Sequence, residues 1–149
     1  MTITSGPVLE LGAGLGSTLT LHGLCGAQGK KLVTLESDHD WLNTFRNLGR
    51  SWHQLREVGN FDDLPEYDQH WGLAFVDHGI SERRGHSVEK MKGNAEVIIA
   101  HDTCHFYLYN YKPVVDSFRY RWDWVVWGPR TSVLSDTVDV PAMLAGMGL

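Results

Sequence analysis

The sequence predicts an α/β fold built around a mostly parallel sheet. Three observations carry that prediction. Short apolar runs of strand length alternate with helical patterns along the 149 residues, the order expected of βαβ units. The first run, Val8-Leu9-Glu10-Leu11, closes on Gly12-Ala13-Gly14-Leu15-Gly16 and then Ser17-Thr18. That pattern reads as a buried strand, a tight glycine turn and a helix N-terminus. Polar residues also close successive runs: Glu10, Glu36, Asn60, Asp77 and Asp102. Ligands bind beyond the carboxyl ends of parallel strands, and these side chains exceed what a solvated edge needs.

Taken in order, Val8 to Leu11 is the first strand and Ser17 to Leu24 a helix ended by Gly26 and Gly29. Lys31 to Glu36 is the second strand. Asp40 is a candidate N-cap for a helix from Trp41 to Leu48, with Gly49 closing it. His53 to Val58 is a third strand, and Phe61 to Gln69, with Pro65, is a loop or one helical turn. Trp71 to Val76 is the fourth strand, Ser81 to Lys92 a polar helix, and Ala95 to Ala100 the fifth strand. Tyr107 to Phe118 is helical with Pro113 in its first turns or at a kink. Arg119 to Trp127 and Thr131 to Thr137 form a hairpin across Gly128-Pro129, which makes one strand antiparallel. Pro141 to Leu149 is a short C-terminal helix or frayed tail.

Composition narrows the class. Hydrophobic content of 42% and charged content of 21% are ordinary for a globular chain, and 149 residues suit a single domain spanning 1–149. The net charge of -5, with no Lys/Arg block, argues against nucleic acid held by charge. Cys25 and Cys104 match no zinc spacing and read as buried free thiols. The chain carries no apolar run of membrane-span length and no leader pattern, so the expected compartment is a reducing cytoplasm.

The glycine turn limits the ligand. A dinucleotide fingerprint needs G-x-G-x-x-G; Gly12 and Gly14 fit, but Ser17 takes the third place. Glu10 beside the turn disfavours pyrophosphate and favours a cation or amine. Glu36, 20 residues past Gly16, can accept hydrogen bonds from ribose hydroxyls. The implied ligand bears a ribose, lacks phosphate and is partly cationic.

On these residues the chain resembles class I S-adenosylmethionine-dependent methyltransferases. Val8 to Ser17 is similar to their first motif, Thr34-Leu35-Glu36 to their ribose motif and Phe75-Val76-Asp77-His78 to their fourth. The likeness runs from about Pro7 to Thr137. It implies a Rossmann-like three-layer sandwich whose seven-stranded sheet has order 3-2-1-4-5-7-6, strand seven antiparallel, here without an N-terminal helical lid. It implies S-adenosyl-L-methionine as cofactor, with Glu10, Gly12, Ala13, Gly14, Gly16, Ser17 and Thr18 around the methionine part. Glu36 and Ser37 would serve the ribose, Asn60 and Phe61 the adenine, and Asp77 and His78 the adenosyl side. The expected activity is methyl transfer, O-directed, to a small-molecule acceptor. A non-catalytic binding module, or an enzyme that cleaves the sulfonium, is the alternative on the same fold.

Two further segments, Phe75 to His78 and Ala100 to Thr103, resemble the metal-binding strand tips of catechol O-methyltransferase and its relatives. Asp77 and Asp102 would then share Mg2+, as adjacent strand tips about 4.8 Å apart allow. Thr103 replaces the family's amide ligand, and Ile80 its lysine base. Asp77, His78, Asp102 and His105 are the candidate catalytic residues, and His101 clusters with them. Arg83 and Arg84, at a helix start, are candidates for an anionic acceptor group. Tyr107, Tyr109 and Tyr111 could line the acceptor pocket, and Tyr120, Trp122 and Trp124 could form an aromatic wall or a homo-oligomer interface.

Overall fold

The computed structural model describes residues 4–126 and 128–149. Twelve labelled elements follow one another: β1 (Val8–Leu11), α1 (Ser17–Gln28), β2 (Leu32–Glu36), α2 (His39–Asn43), β3 (His53–Glu57), β4 (Trp71–Val76), α3 (Arg84–Met91), β5 (Ala95–Ala100), α4 (Lys112–Val115), β6 (Tyr120–Trp124), β7 (Thr131–Ser135) and α5 (Val140–Ala145). The strands form one seven-stranded sheet of order β3-β2-β1-β4-β5-β7-β6, the order the resemblance implied. β7 is antiparallel to both β5 and β6.

The central strands are buried on both faces, which their unbroken apolar runs require. On one face Leu9, Leu11, Leu35, Val76, Ile98 and Met91 join Val115 and Tyr111 in the larger core, under α3 and α4. On the other, Val8 and Leu32 meet Leu21 and Cys25 of α1. Beside them an apolar groove of about 530 Å³ runs between α1 and α5 over Leu73, Phe75, Val97 and Ile99. Register places the tips of the inner strands level: Leu11 pairs with Leu35 and with Val76, and Val76 with Ala100.

Several boundaries differ from the sequence reading. α1 runs on through Gly26 and stops only at Gly29, whose φ of 65° is the left-handed cap a glycine supplies without penalty. The N-cap of α2 is Asp38, not Asp40: its carboxylate accepts the Trp41 N–H at 2.9 Å. That helix is short, and Arg46–Leu48 is a separate 3-10 turn. Ser81–Arg83 is likewise 3-10, leading into α3.

The largest departure is 107–118, where only Lys112–Val115 is helical. Asn110 is left-handed at φ 54°, and Pro113, with no N–H to give, sits in the first turn. The strand expected over 119–127 is β6, Tyr120–Trp124; Trp127 falls outside the described residues. Both cysteines are free, Cys25 buried but Cys104 exposed, contrary to the expected burial of both. Among the described residues no helix is long and apolar enough to cross a membrane.

Candidate active site

The β1 turn is built by close approach. Gly12 has φ 97°, and a β-carbon there would stand 2.4 Å from the Cα of His78. The chain leaving β1 thus passes directly against the chain leaving β4, which only glycine allows. Gly14 gives its N–H to the Thr18 hydroxyl at 2.9 Å, tying the turn to the first turn of α1. Gly16 begins α1 with no atom within 4 Å of where its β-carbon would be.

Glu10 lies beneath this turn rather than on its open side. It is fully buried, and its carboxylate accepts from the hydroxyls of Thr18 (3.0 and 2.9 Å) and Thr34 (2.7 Å). Burial pushes its pKa up to about 7, against the pull of those hydroxyls. When Glu10 is ionised Thr34 donates to it, and His53 Nε2, 3.0 Å from the same hydroxyl, is then the donor to that hydroxyl. His53 Nδ1 then accepts from His22 Nδ1 at 2.9 Å. Burial holds His53 neutral, with its pKa pushed down to about 4.

Glu36 ends β2 and joins it to the turn. Oε2 accepts the Ala13 N–H at 2.9 Å, while Oε1 accepts the amides of Ser37 (2.6 Å) and Asp38 (2.9 Å). The Trp41 indole N–H donates to the Ala13 carbonyl at 2.7 Å, bracing the turn from α2. Asn60 is exposed, and its side-chain oxygen accepts the Asp62 N–H. Phe61 and His78 are both interior, stacked with centroids 4.0 Å apart and planes 7° from parallel. His78 Nε2 pairs with Ser87 at 3.0 Å, and burial pushes its pKa down to about 3. The expected catalytic His78 is therefore corrected: a sealed, neutral ring forms the floor of the site and cannot meet an acceptor. Phe61 shares that structural task.

The tips of β4 and β5 carry the remaining groups. Arg84, buried at the start of α3, places Nη1 2.9 Å from Asp77 Oδ1 and donates from it to Asp102 Oδ2 at 2.8 Å. Its Nε donates to the His78 carbonyl at 2.8 Å, and Tyr109 lies 4.9 Å beneath the guanidinium. The expectation that Arg84 receives an anionic acceptor is not what this geometry shows: Nε and Nη1 are engaged within the fold by the His78 carbonyl and the two carboxylates, and Arg83 pairs outward with Asp62 at 3.0 Å. Asp102 is left-handed at φ 59°, a conformation that costs on the order of 1 kcal/mol and concentrates at working sites. Burial raises the Asp77 carboxyl above its usual range, opposed by the Arg84 charge.

His101, not His105, faces these carboxylates. Its Nε2 is 3.6 Å from Asp102 Oδ1, and its Nδ1 contacts the Thr131 hydroxyl at 2.9 Å. His105 is exposed and tilted against Tyr109, 5.2 Å between centroids. Asp77, His101 and Asp102 bring their ligand-type atoms within 4.8 Å of one another. Of the three tyrosines, Tyr111 is interior and donates to the His101 carbonyl at 2.9 Å, whereas Tyr107 is exposed. Trp41 and Arg84 are two contributors whose tasks no motif disclosed.

No family model and no curated protein matches the chain. Solved structures do. A Klebsiella pneumoniae protein classed as an O-methyltransferase is similar at TM-score 0.63 and 15% identity, over 88% of this chain and 73% of that one. A Staphylococcus aureus protein classed as a caffeoyl-CoA O-methyltransferase gives 0.62 and 10%, over 86% and 74%. The N-terminal domain of human METTL16, solved in complex with SAH, gives 0.57 and 11%, over 90% and 63%. At these identities the likeness defines the fold, which this chain shares with methyltransferases.

Proposed function

We propose that the chain is an S-adenosylmethionine-dependent methyltransferase that methylates an oxygen nucleophile of a small molecule. The observation that carries this reading is the level alignment of the Gly12 turn, Glu36 and Asp77 at adjacent strand tips. The fold shared with methyltransferases, one of them holding SAH, supports it.

In this reading Gly12, Ala13, Gly14, Gly16 and Ser17 let the methionine part approach backbone closely. Glu10 and Thr18 hold the turn from beneath. Glu36 accepts ribose hydroxyls, exchanging one or more of its present amide donors, with Ser37 and Asn60 at the rim. Glu36, Asp77 and Asp102 outnumber the single Arg84 charge, so the site's negative field suits a sulfonium cation. Methyl transfer needs in-line positioning of the nucleophile and removal of its proton. His101, oriented by Thr131 and beside Asp102, is the group best placed to take that proton.

The resemblance also implied Mg2+ between Asp77 and Asp102. The residues present do not fit it, because the Arg84 guanidinium already bridges the two carboxylates. No step here runs through a metal.

Product analysis tests the reaction. Incubation with S-adenosylmethionine and a panel of hydroxyl acceptors should yield S-adenosylhomocysteine by mass spectrometry. Methylthioadenosine in its place would assign the chain to sulfonium cleavage.

A further inference from the structure

We propose that Arg84 is the resident cation of the acceptor site, standing in the place of a divalent ion, and that the site works without metal. The part of this that concerns catalysis rests on the methyl-transfer reading; the part that concerns charge does not.

Two ionised carboxylates held together at neighbouring strand tips repel, and a positive charge between them relieves that repulsion. A divalent ion would meet oxygens at about 2.0–2.6 Å. Here one nitrogen, Arg84 Nη1, reaches both, Asp77 Oδ1 at 2.9 Å and Asp102 Oδ2 at 2.8 Å. The guanidinium is not a visiting surface charge. Arg84 is only 7% exposed, Nε is fixed on the His78 carbonyl, and Nη2 lies 3.4 Å from the Asp77 carbonyl. Tyr109 covers one face. The backbone locks it further: Gly85 donates its N–H to the Tyr109 carbonyl at 2.9 Å, and a β-carbon at Gly85 would stand 2.2 Å from the Asn110 carbonyl oxygen. The 102–111 segment and the start of α3 are thus clamped together around the guanidinium.

A cation entering among Asp77, His101 and Asp102 would have to settle beside this fixed positive charge and take oxygens that already have a partner. Arginine also keeps its charge at any working pH, so the substitution is permanent. With Nε and Nη1 turned onto the His78 carbonyl and the two carboxylates, Arg84 acts through those groups rather than on an acceptor. It is a positioning residue that orients both carboxylates and leaves their outer oxygens and His101 toward the acceptor.

Mn2+ binding, followed by the loss of the free-ion signal in electron paramagnetic resonance, tests this without any cofactor. The wild-type protein should leave the signal of equimolar Mn2+ undiminished at millimolar concentration. Arg84→Met should bind one Mn2+ per chain, and Arg84→Met with Asp102→Asn should lose it. Wild-type uptake of one Mn2+ that Asp102→Asn abolishes would overturn the proposal, as would a folded Arg84→Met that ignores Mn2+. Should Arg84→Met not fold, the wild-type melting temperature decides: no shift between EDTA and 10 mM Mg2+ is expected, and a rise of several degrees lost in Asp102→Asn would overturn it. Neither readout uses S-adenosylmethionine, so a failure of the cofactor reading shows separately.

Discussion

The Ala13 N–H donates to Glu36 Oε2 at 2.9 Å, so the glycine turn of β1 and the tip of β2 form one hydrogen-bonded unit. Trp41 fixes the same turn by donating to the Ala13 carbonyl. On the proposed reading, a ligand seated on the turn would meet the Glu36 carboxylate at once, and mutations at either end test that coupling.

Glu36→Ala should weaken S-adenosylhomocysteine binding by roughly 1.5–3 kcal/mol, the range for hydrogen bonds to a charged group. Isothermal titration would register this as about a ten- to hundred-fold rise in Kd. An unchanged Kd in a folded variant would remove Glu36 from the ribose site.

Gly12→Ala and Gly16→Ala should part company. Alanine at Gly12 needs both a left-handed backbone and a β-carbon 2.4 Å from His78 Cα, so urea melts should show a loss of roughly 3 kcal/mol or more. Alanine at Gly16 meets nothing within 4 Å and should hold or raise stability by about 0.4–1 kcal/mol. Weaker cofactor binding by the stable Gly16→Ala protein would then report contact with ligand, not damage to the fold.

Glu10→Gln should stabilise the protein in a pH-dependent way. In the folded chain burial lifts the Glu10 pKa from 4.5 to about 7, so the native state holds the proton more tightly than the unfolded one. The contribution of that proton is full below pH 4.5 and is lost as pH rises toward 7, in all roughly 3 kcal/mol. Glutamine carries no charge to bury. Thermal melts should coincide for the two proteins near pH 4.5 and diverge above pH 7, with the variant higher; parallel curves would contradict the burial argument.

His101→Ala should lower kcat by about 10²–10⁴ while leaving the cofactor Kd within about two-fold, the signature of lost proton transfer. His105→Ala, on the exposed turn, should change neither. Equal losses in both would place the base elsewhere.

The inner strands were readable from sequence because Val8–Leu11, Leu32–Glu36, Trp71–Val76 and Ala95–Ala100 are largely apolar runs, whereas β3 and β6 carry polar residues throughout and are only partly buried. Their order came only through resemblance, since pairing is a tertiary fact. The helix expected over 107–118 failed where Asn110 and Pro113 outweighed the apolar spacing. At the site, the position of Glu36 at the end of β2 was legible, but not that its carboxylate accepts the amides of Ala13, Ser37 and Asp38. Glu10 was placed at the right position but faces inward, because Thr18 and Thr34 offer it hydroxyls that no local pattern encodes. Arg84 was read as a candidate for an anionic acceptor group at a helix start. Its pairing with Asp77 and Asp102 depends on two strands and a helix meeting, which spacing along the chain does not reveal. His105 and His101 are indistinguishable as letters; the turn after β5 decides which one faces Asp102.

Calorimetric titration of the wild-type chain with S-adenosylmethionine and S-adenosylhomocysteine decides whether the glycine turn and Glu36 form a cofactor site. Saturable one-to-one binding of both, weakened in Glu36→Ala, is expected. Absence of heat for either compound at millimolar concentration, with the protein folded, would contradict it.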